Sequence, residues 1–382
     1  MQIAFYSNFI SAHQRPLCDA IYESSGCNFR FIAAKPLSET RKAMGWQEEN
    51  VPYVIPSYDK TRQQEAVDFV KGADVLIISG DDETEFFKLA IQNKNTLIFR
   101  CCERPYKRGR WRVFSPTGLK LRWNGYFKHP KKNLYLLCSS AYAAGDYALL
   151  GSYLGRCYKW GYFIKVEPLD TEKTIAEKEE NYIFWAGRLL DWKRPDLAID
   201  VAAHLKKNNI PFRMELAGDG PMREELQRQI VEKGLSQQVQ LIGNLSQEET
   251  VLHMQRAGIF LATSNYQEGW GAVVGEAMSR ACAVVACDAM GAVPFLIKDG
   301  QNGFCFSNKD KKKLCYTVEQ LLKDNTLRCQ VSQRAYETMA TLWNPTVAAQ
   351  RLLRLLESIK AGAMATYADG PGSKAHIFRK GR

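Results

Sequence analysis

GIFLATSNYQEGWGAVVGEAMSRACAVVAC, residues 258–287, holds a complete strand–helix–strand unit. Five apolar residues, GIFLA (258–262), are too few for a helix and lack alternating polar positions, which predicts a strand covered on both faces. A polar turn follows. From Gly271 the spacing predicts a helix to 281, and AVVAC (283–287) predicts the next strand. A strand, a covering helix and a second buried strand imply parallel pairing.

The same alternation runs outward in both directions. Upstream lie the strands YIFWA (182–186), FRMELA (212–217) and VQLIG (239–243), with helices over 195–207, 221–233 and 246–256. An earlier series has strands at 2–6, 29–33, 74–78, 96–100 and 134–138. Helices are expected there near 15–24, 61–71, 83–93 and from 139. The polar stretch TEKTIAEKEEN (171–181) separates the two series. The expected fold is α/β, with two doubly wound parallel-sheet, Rossmann-like domains facing across a cleft. The expected boundaries are 1–163, 164–342, a helix over 343–360 and a mobile tail over 361–382.

The remaining bulk features narrow the class. The chain has 382 residues, 46% hydrophobic and 24% charged, with a mean hydropathy of −0.32. That composition suits a folded chain and offers no bilayer-spanning run. The start, MQIAFYSNFI, lacks the basic head and cleavage site of a signal peptide. Eleven scattered cysteines form no C-x-x-C pair, and no H-E-x-x-H occurs. Zinc ribbons, thioredoxin-like sites and zincins are therefore not expected, and a reducing, cytoplasmic setting is.

The net charge of +11 is concentrated. Residues 88–132 carry thirteen Lys/Arg against one acid, Glu103, a net of +12. Phe99, Tyr106, Trp111, Phe114, Trp123, Tyr126 and Phe127 interleave with them. Lys107, Arg108, Arg110 and Arg112 form the densest run. Such a surface suits anions: lipid headgroups, a lipid-linked phosphate or nucleic acid. No RNA- or DNA-binding module signature accompanies it, so nucleic acid stands as the rival reading, and no nucleic-acid partner is expected.

In open parallel sheets ligands bind beyond the carboxyl ends of the strands. After YIFWA come Gly187, Arg188, Lys193 and Pro195, which place two cations at a strand end, fit for a diphosphate. After FRMELA comes Gly218-Asp219-Gly220-Pro221, a turn that lets backbone approach a ligand. After IFLAT comes Glu268-Gly269-Trp270-Gly271, with Glu276 about two turns into the helix. The helix start presents N–H groups to an anion, and a carboxylate there accepts two hydroxyl donors.

Gly-Arg…Lys, Gly-Asp-Gly-Pro and Glu-x7-Glu, in that order, resemble the C-terminal domain of retaining family-4 glycosyltransferases of GT-B architecture, of the kind that builds bacterial surface polysaccharides. The resemblance covers about 182–306 and includes Asp299-Gly-Gln-Asn-Gly303. It is weaker in SNFISAHQRP near the start, CCERPYKRG (101–109) and YKWGYF (158–163). Trp343-Asn344-Pro345 resembles the start of that family's returning helix.

The resemblance implies a nucleoside-diphosphate sugar as donor, with UDP favoured, and a lipid-linked or glycan acceptor. It implies that Arg188 and Lys193 neutralise the diphosphate, Glu276 binds ribose and Glu268 lies beside the donor sugar. Gly187, Gly218, Gly220, Gly269, Trp270 and Gly271 would approach the donor, with Leu245 near the base. Many relatives place a His over the donor sugar; here TLIFRCC ends in Glu103-Arg104. Glu103 is expected in that role, with His13 as the alternative, and His13 and Arg104 on the acceptor side. The turn Gly291-Ala-Val-Pro294 lacks the acid common in the family. Transfer is expected to need no metal or other cofactor, with Asp81 and Asp82 as the candidate ligands otherwise. An epimerase or phosphorylase of the same architecture is the nearer rival. The expected location is cytoplasmic, peripheral on the inner membrane face.

Overall fold

The computed structural model describes residues 1–24, 26–37, 51–80, 85–122, 133–363 and 366–377. Within it the chain divides into two compact units, 1–165 with 343–382, and 166–342.

Unit 1 holds a seven-stranded, all-parallel sheet: β1 (Gln2–Ser7), β2 (Asn28–Ala33), β3 (Val54–Pro56), β4 (Val75–Ser79), β5 (Leu97–Cys102), β6 (Leu134–Cys138) and β7 (Cys157–Lys159). The spatial order is β3-β2-β1-β4-β5-β6-β7. Its helices are α1 (Arg15–Tyr22), α2 (Gln63–Lys71), α3 (Glu85–Gln92), α4 (Pro116–Arg122) and α5 (Ala143–Ala148).

Unit 2 has α6 (Thr171–Ala176), β8 (Glu179–Ala186), α7 (Asp196–Lys207), β9 (Arg213–Ala217), α8 (Arg223–Glu232), β10 (Val239–Gly243), α9 (Gln247–Arg256), β11 (Ala257–Ala262), α10 (Ala272–Met278), β12 (Ala283–Cys287), α11 (Val293–Leu296), β13 (Phe304–Phe306), α12 (Lys311–Lys323) and α13 (Asn325–Thr341). Its six parallel strands run β10-β9-β8-β11-β12-β13. Both units thus have the doubly wound parallel sheets expected from the sequence.

The uninterrupted apolar runs are explained by burial on both faces. Tyr182 to Trp185, Ile259 to Leu261 and Ala283 to Cys287 are all at most 2% exposed. The pairing of Ile183 with Ile259 and Trp185 with Leu261 sets β8 beside β11. Glycine and β-branched residues leave α10 only seven residues long, and it is held by packing rather than by propensity.

At Trp343 the chain returns to unit 1. The Asn344 side chain accepts from the Val347 amide at 2.9 Å, and Pro345 opens α14 (Pro345–Lys360). The Trp343 ring stacks with Phe163, and α14 buries Ala348, Leu352 and Leu355 and packs against α1.

Residues 366–377 differ from the mobile tail expected from their composition. The Lys159 amide donates to Ser373 at 2.7 Å, the Gly372 amide to Lys159 at 2.9 Å, and the Ala375 amide to Cys157 at 3.0 Å. Lys159 also pairs with Asp369 at 2.7 Å. The segment covers the open edge of β7, whose backbone groups would otherwise face water. No helix among the described residues is long and apolar enough to cross a membrane.

Candidate functional site

The order of the second sheet defines one switch point. From β8 the chain builds outward to β9 and β10, and from β11 it builds the other way to β12 and β13. The loops leaving the carboxyl ends of β8 and β11 diverge there and leave a crevice. Arg188 and Lys193 lie in the first loop and Glu268 in the second.

These loops are tied together. The Trp185 indole N–H donates to Thr263 Oγ1 at 2.8 Å, and that hydroxyl donates to the Lys193 carbonyl at 2.8 Å. The Asn265 amide donates to the Trp192 carbonyl at 2.8 Å. Lys193 forms the last residue of a 3-10 turn, Asp191–Lys193, and its ammonium lies 4.6 Å from the Trp192 ring centroid. Its Nζ donates to Glu268 Oε2, across 75 residues of sequence. The two side chains are 17% and 13% exposed. Glu268, little exposed, therefore has Lys193 as its cation partner. Arg188 is exposed and forms no ion pair among the described residues.

Three strand ends form a continuous shelf. The Gly187 amide donates to Ala217 at 3.0 Å, the Leu189 amide to Asp219 at 2.9 Å and the Gly218 amide to Gly243 at 2.6 Å. Gly218 has φ +130°, and a Cβ there would lie 1.9 Å from the Gly187 carbonyl oxygen, so the close approach admits glycine alone. Gly220 lies in the same turn; Leu245 is half-buried just beyond β10, before the Ser246–Glu249 capping box of α9. Across the crevice Gly269 and Gly271 are buried, and Gly271 caps α10 with φ +92°. Trp270 is 2% exposed, with its ring near Phe295, and its carbonyl accepts from the Ala292 amide at 3.0 Å. Glu276 is half-buried, among the buried Val274, Gly275, Ala277 and Met278 of α10.

In unit 1, Glu103 follows β5. Its Oε1 accepts from Tyr162 Oη at 2.7 Å, and its Oε2 accepts from Lys107 Nζ. The His13 ring stacks on Tyr162 with centroids 6.0 Å apart. Tyr162 thus joins His13 to Glu103, a link that no sequence spacing signals. Burial pushes the neighbouring Cys101 thiol up to about 12 and Cys102 upward as well, so neither supplies a ready thiolate.

Arg104 departs from its expected acceptor-side place. It is 6% exposed, and its guanidinium donates to both oxygens of Asp146 at 3.1 and 3.2 Å. Asp146 is fully buried and also accepts from Arg110 Nε at 3.1 Å and the Tyr106 amide at 3.3 Å. Arg104 is therefore an internal strut. Arg110 and Lys107 each have an acidic partner, while Arg108 is exposed and Arg112 is half-buried. Asp81 and Asp82 lie outside the described residues, as do Trp123, Tyr126 and Phe127.

Residues 167–338 match the family model described as "Glycosyl transferases group 1". The chain is 29% identical over 197 residues to an alpha-D-kanosaminyltransferase of Streptomyces kanamyceticus, covering 50% of each chain. It is 25% identical over 194 residues to the lipopolysaccharide core biosynthesis glycosyltransferase LpsE of Rhizobium meliloti, covering 51% of this chain and 55% of that one. The matches thus span about half the length of these curated relatives. Among solved structures, Anabaena Alr3699/HepE in complex with UDP is similar with a TM-score of 0.66 at 18% identity, over 94% of this chain and all of that one. That similarity shows the shared GT-B fold.

Proposed function

We propose that the protein is a retaining glycosyltransferase that moves a sugar from a nucleoside-diphosphate sugar to a lipid-linked or oligosaccharide acceptor in bacterial surface-polysaccharide synthesis. The observation that carries this reading is the Lys193–Glu268 pair at the switch point of unit 2, beside an exposed Arg188. Supporting it, the pair lies within the segment matched by the group 1 family model, and relatives named for lipopolysaccharide and poly(ribitol-phosphate) glycosylation match about half of the chain. UDP is the favoured diphosphate, since similar solved chains are complexes with UDP.

In this scheme Arg188 and Lys193 stabilise charge building on the departing diphosphate, which is the main source of rate. Glu268 accepts from donor-sugar hydroxyls and holds the Lys193 ammonium in place. Glu276 accepts from ribose hydroxyls, and the backbone of Gly269 to Gly271 lies against sugar and phosphate. The acceptor attacks on the face from which the diphosphate leaves, and a diphosphate oxygen takes the acceptor proton. No separate base or metal is then required.

The test is release of nucleoside diphosphate from a panel of UDP-, GDP- and ADP-sugars in the presence of surface-polysaccharide oligosaccharides. Product with the donor's anomeric configuration, formed in EDTA, is expected. An inverted product would overturn retention. Absence of turnover, together with absence of binding of every nucleotide sugar, would overturn the transfer reading.

A further inference from the structure

The basic segment has an apolar component that ion pairing leaves untouched. The 3-10 turn Arg110–Phe114 and the following helix α4 present Trp111, Phe114 and Leu119 at 70%, 83% and 54% exposure. Cations flank them in sequence: Arg108 and Lys120 are exposed, and the Arg112 guanidinium lies 6.0 Å from the Trp111 ring centroid. Residues 104–122 contain seven Lys/Arg and no acid. A cavity of about 270 Å³ opens among Arg104, Tyr106, Lys107, Arg108 and Arg112.

The platform is braced from below. Asp146 holds Arg104, the Tyr106 amide and Arg110 at once. The Ser115 hydroxyl donates to the Arg112 carbonyl at 2.6 Å and accepts from the Gly118 amide at 3.2 Å, which locks the turn onto α4. Exposed rings therefore stand on a fixed turn, so covering them costs side-chain ordering but little ordering of the backbone.

The geometry points to an anionic phospholipid bilayer as that partner, with Trp111, Phe114 and Leu119 entering the headgroup layer and Arg108, Arg112 and Lys120 meeting phosphates. Rings flanked by Lys and Arg suit the membrane interface, where apolar and charged layers lie a few ångströms apart. The core of a protein interface is instead depleted of charge. A second copy of this surface would bring cations against cations. The cavity between Arg108 and Arg112 accommodates a lipid phosphate.

The test is sedimentation of the full chain with vesicles of phosphatidylcholine alone or with 30% phosphatidylglycerol. Wild type is expected to sediment only with the anionic vesicles and to elute at high salt. Arg108→Ser with Arg112→Ser should weaken binding about fivefold per cation. Trp111→Ala with Phe114→Ala should weaken it at least about tenfold, with unfolding temperature and nucleotide binding unchanged. Brominated acyl chains should quench fluorescence in wild type and fail to do so in Trp111→Phe, which retains the other seven tryptophans. Indifference of wild type to anionic vesicles at low salt overturns the proposal, as does equal binding to neutral ones. Self-association abolished by Phe114→Ala, without vesicle binding, would assign the patch to a second copy instead. Because nucleotide binding is read separately, failure here leaves the donor-site reading standing.

Discussion

Lys193 does two jobs in one place. Its ammonium pairs with Glu268, and its carbonyl is fixed by Thr263, whose hydroxyl is anchored in turn by the Trp185 indole. Charge and loop position are thus set by different atoms of the residue, and separate substitutions resolve them. Lys193→Ala removes one of the two cations proposed to meet the diphosphate and should lower transfer about a hundredfold, roughly 3 kcal/mol of transition-state stabilisation, with the fold retained. Initial rates at saturating donor measure it. Thr263→Val leaves the buried indole N–H and the Lys193 carbonyl without their partner, which should cost about 1–3 kcal/mol for each group. Urea unfolding should register that loss, and Thr263→Ser should recover most of it. Equal stability of Thr263→Val and wild type would mean that the relay is not what fixes the loop. The partners explain what the sequence could reveal at this scale. Strand-end position alone singles out Arg188, Lys193 and Glu268. Thr263, Tyr162 and Asp146 act through contacts 36 or more residues away, and no local pattern encodes those. Arg104 was legible only as a cation: its neighbour Glu103 meets Lys107 and Tyr162, while Arg104 turns inward to a carboxylate on α5.

At the scale of elements, long buried strands and the helices between them follow from apolar runs, and their observed limits lie within a few residues of the expected ones. The three-residue edge strands β3, β7 and β13 escaped, being too short to show a period. So did α13, whose buried face mixes Arg328 and Ser332 with Val331, Ala335 and Met339. The docked segment 366–377 is rich in glycine and polar residues and binds through backbone hydrogen bonds, which composition does not disclose. The shelf linking the ends of β8, β9 and β10 is the element-level device on which the site depends. Gly218→Ala sets a methyl against the Gly187 carbonyl in a backbone region hostile to side chains. It should destabilise unit 2 by at least about 2 kcal/mol and weaken nucleotide binding in the fraction that stays folded. Thermal unfolding with and without nucleotide checks both effects. An unchanged midpoint would show that the loops separate freely.

Across the molecule, two parallel sheets each carry one switch point, between β1 and β4 and between β8 and β11. His13 follows β1, and Lys193 and Glu268 flank the second point, so the chemistry-bearing residues fall where sheet topology leaves room for a ligand. Two-domain α/β architecture was legible because alternation persists through both halves; the return of Trp343–Arg382 to unit 1 was legible in part, through Trp343-Asn344-Pro345. The central claim is that the second switch point binds a nucleoside diphosphate through Arg188 and Lys193. Calorimetric titration of UDP into the full chain, and into Arg188→Ala and Lys193→Ala, measures it most directly. The account predicts single-site binding by wild type, stabilisation of the fold by about 2.7 kcal/mol at a hundredfold excess over Kd, and affinity at least about tenfold weaker in each variant. Binding of equal strength in all three proteins, or no binding of UDP or any other nucleoside diphosphate by wild type, would contradict it.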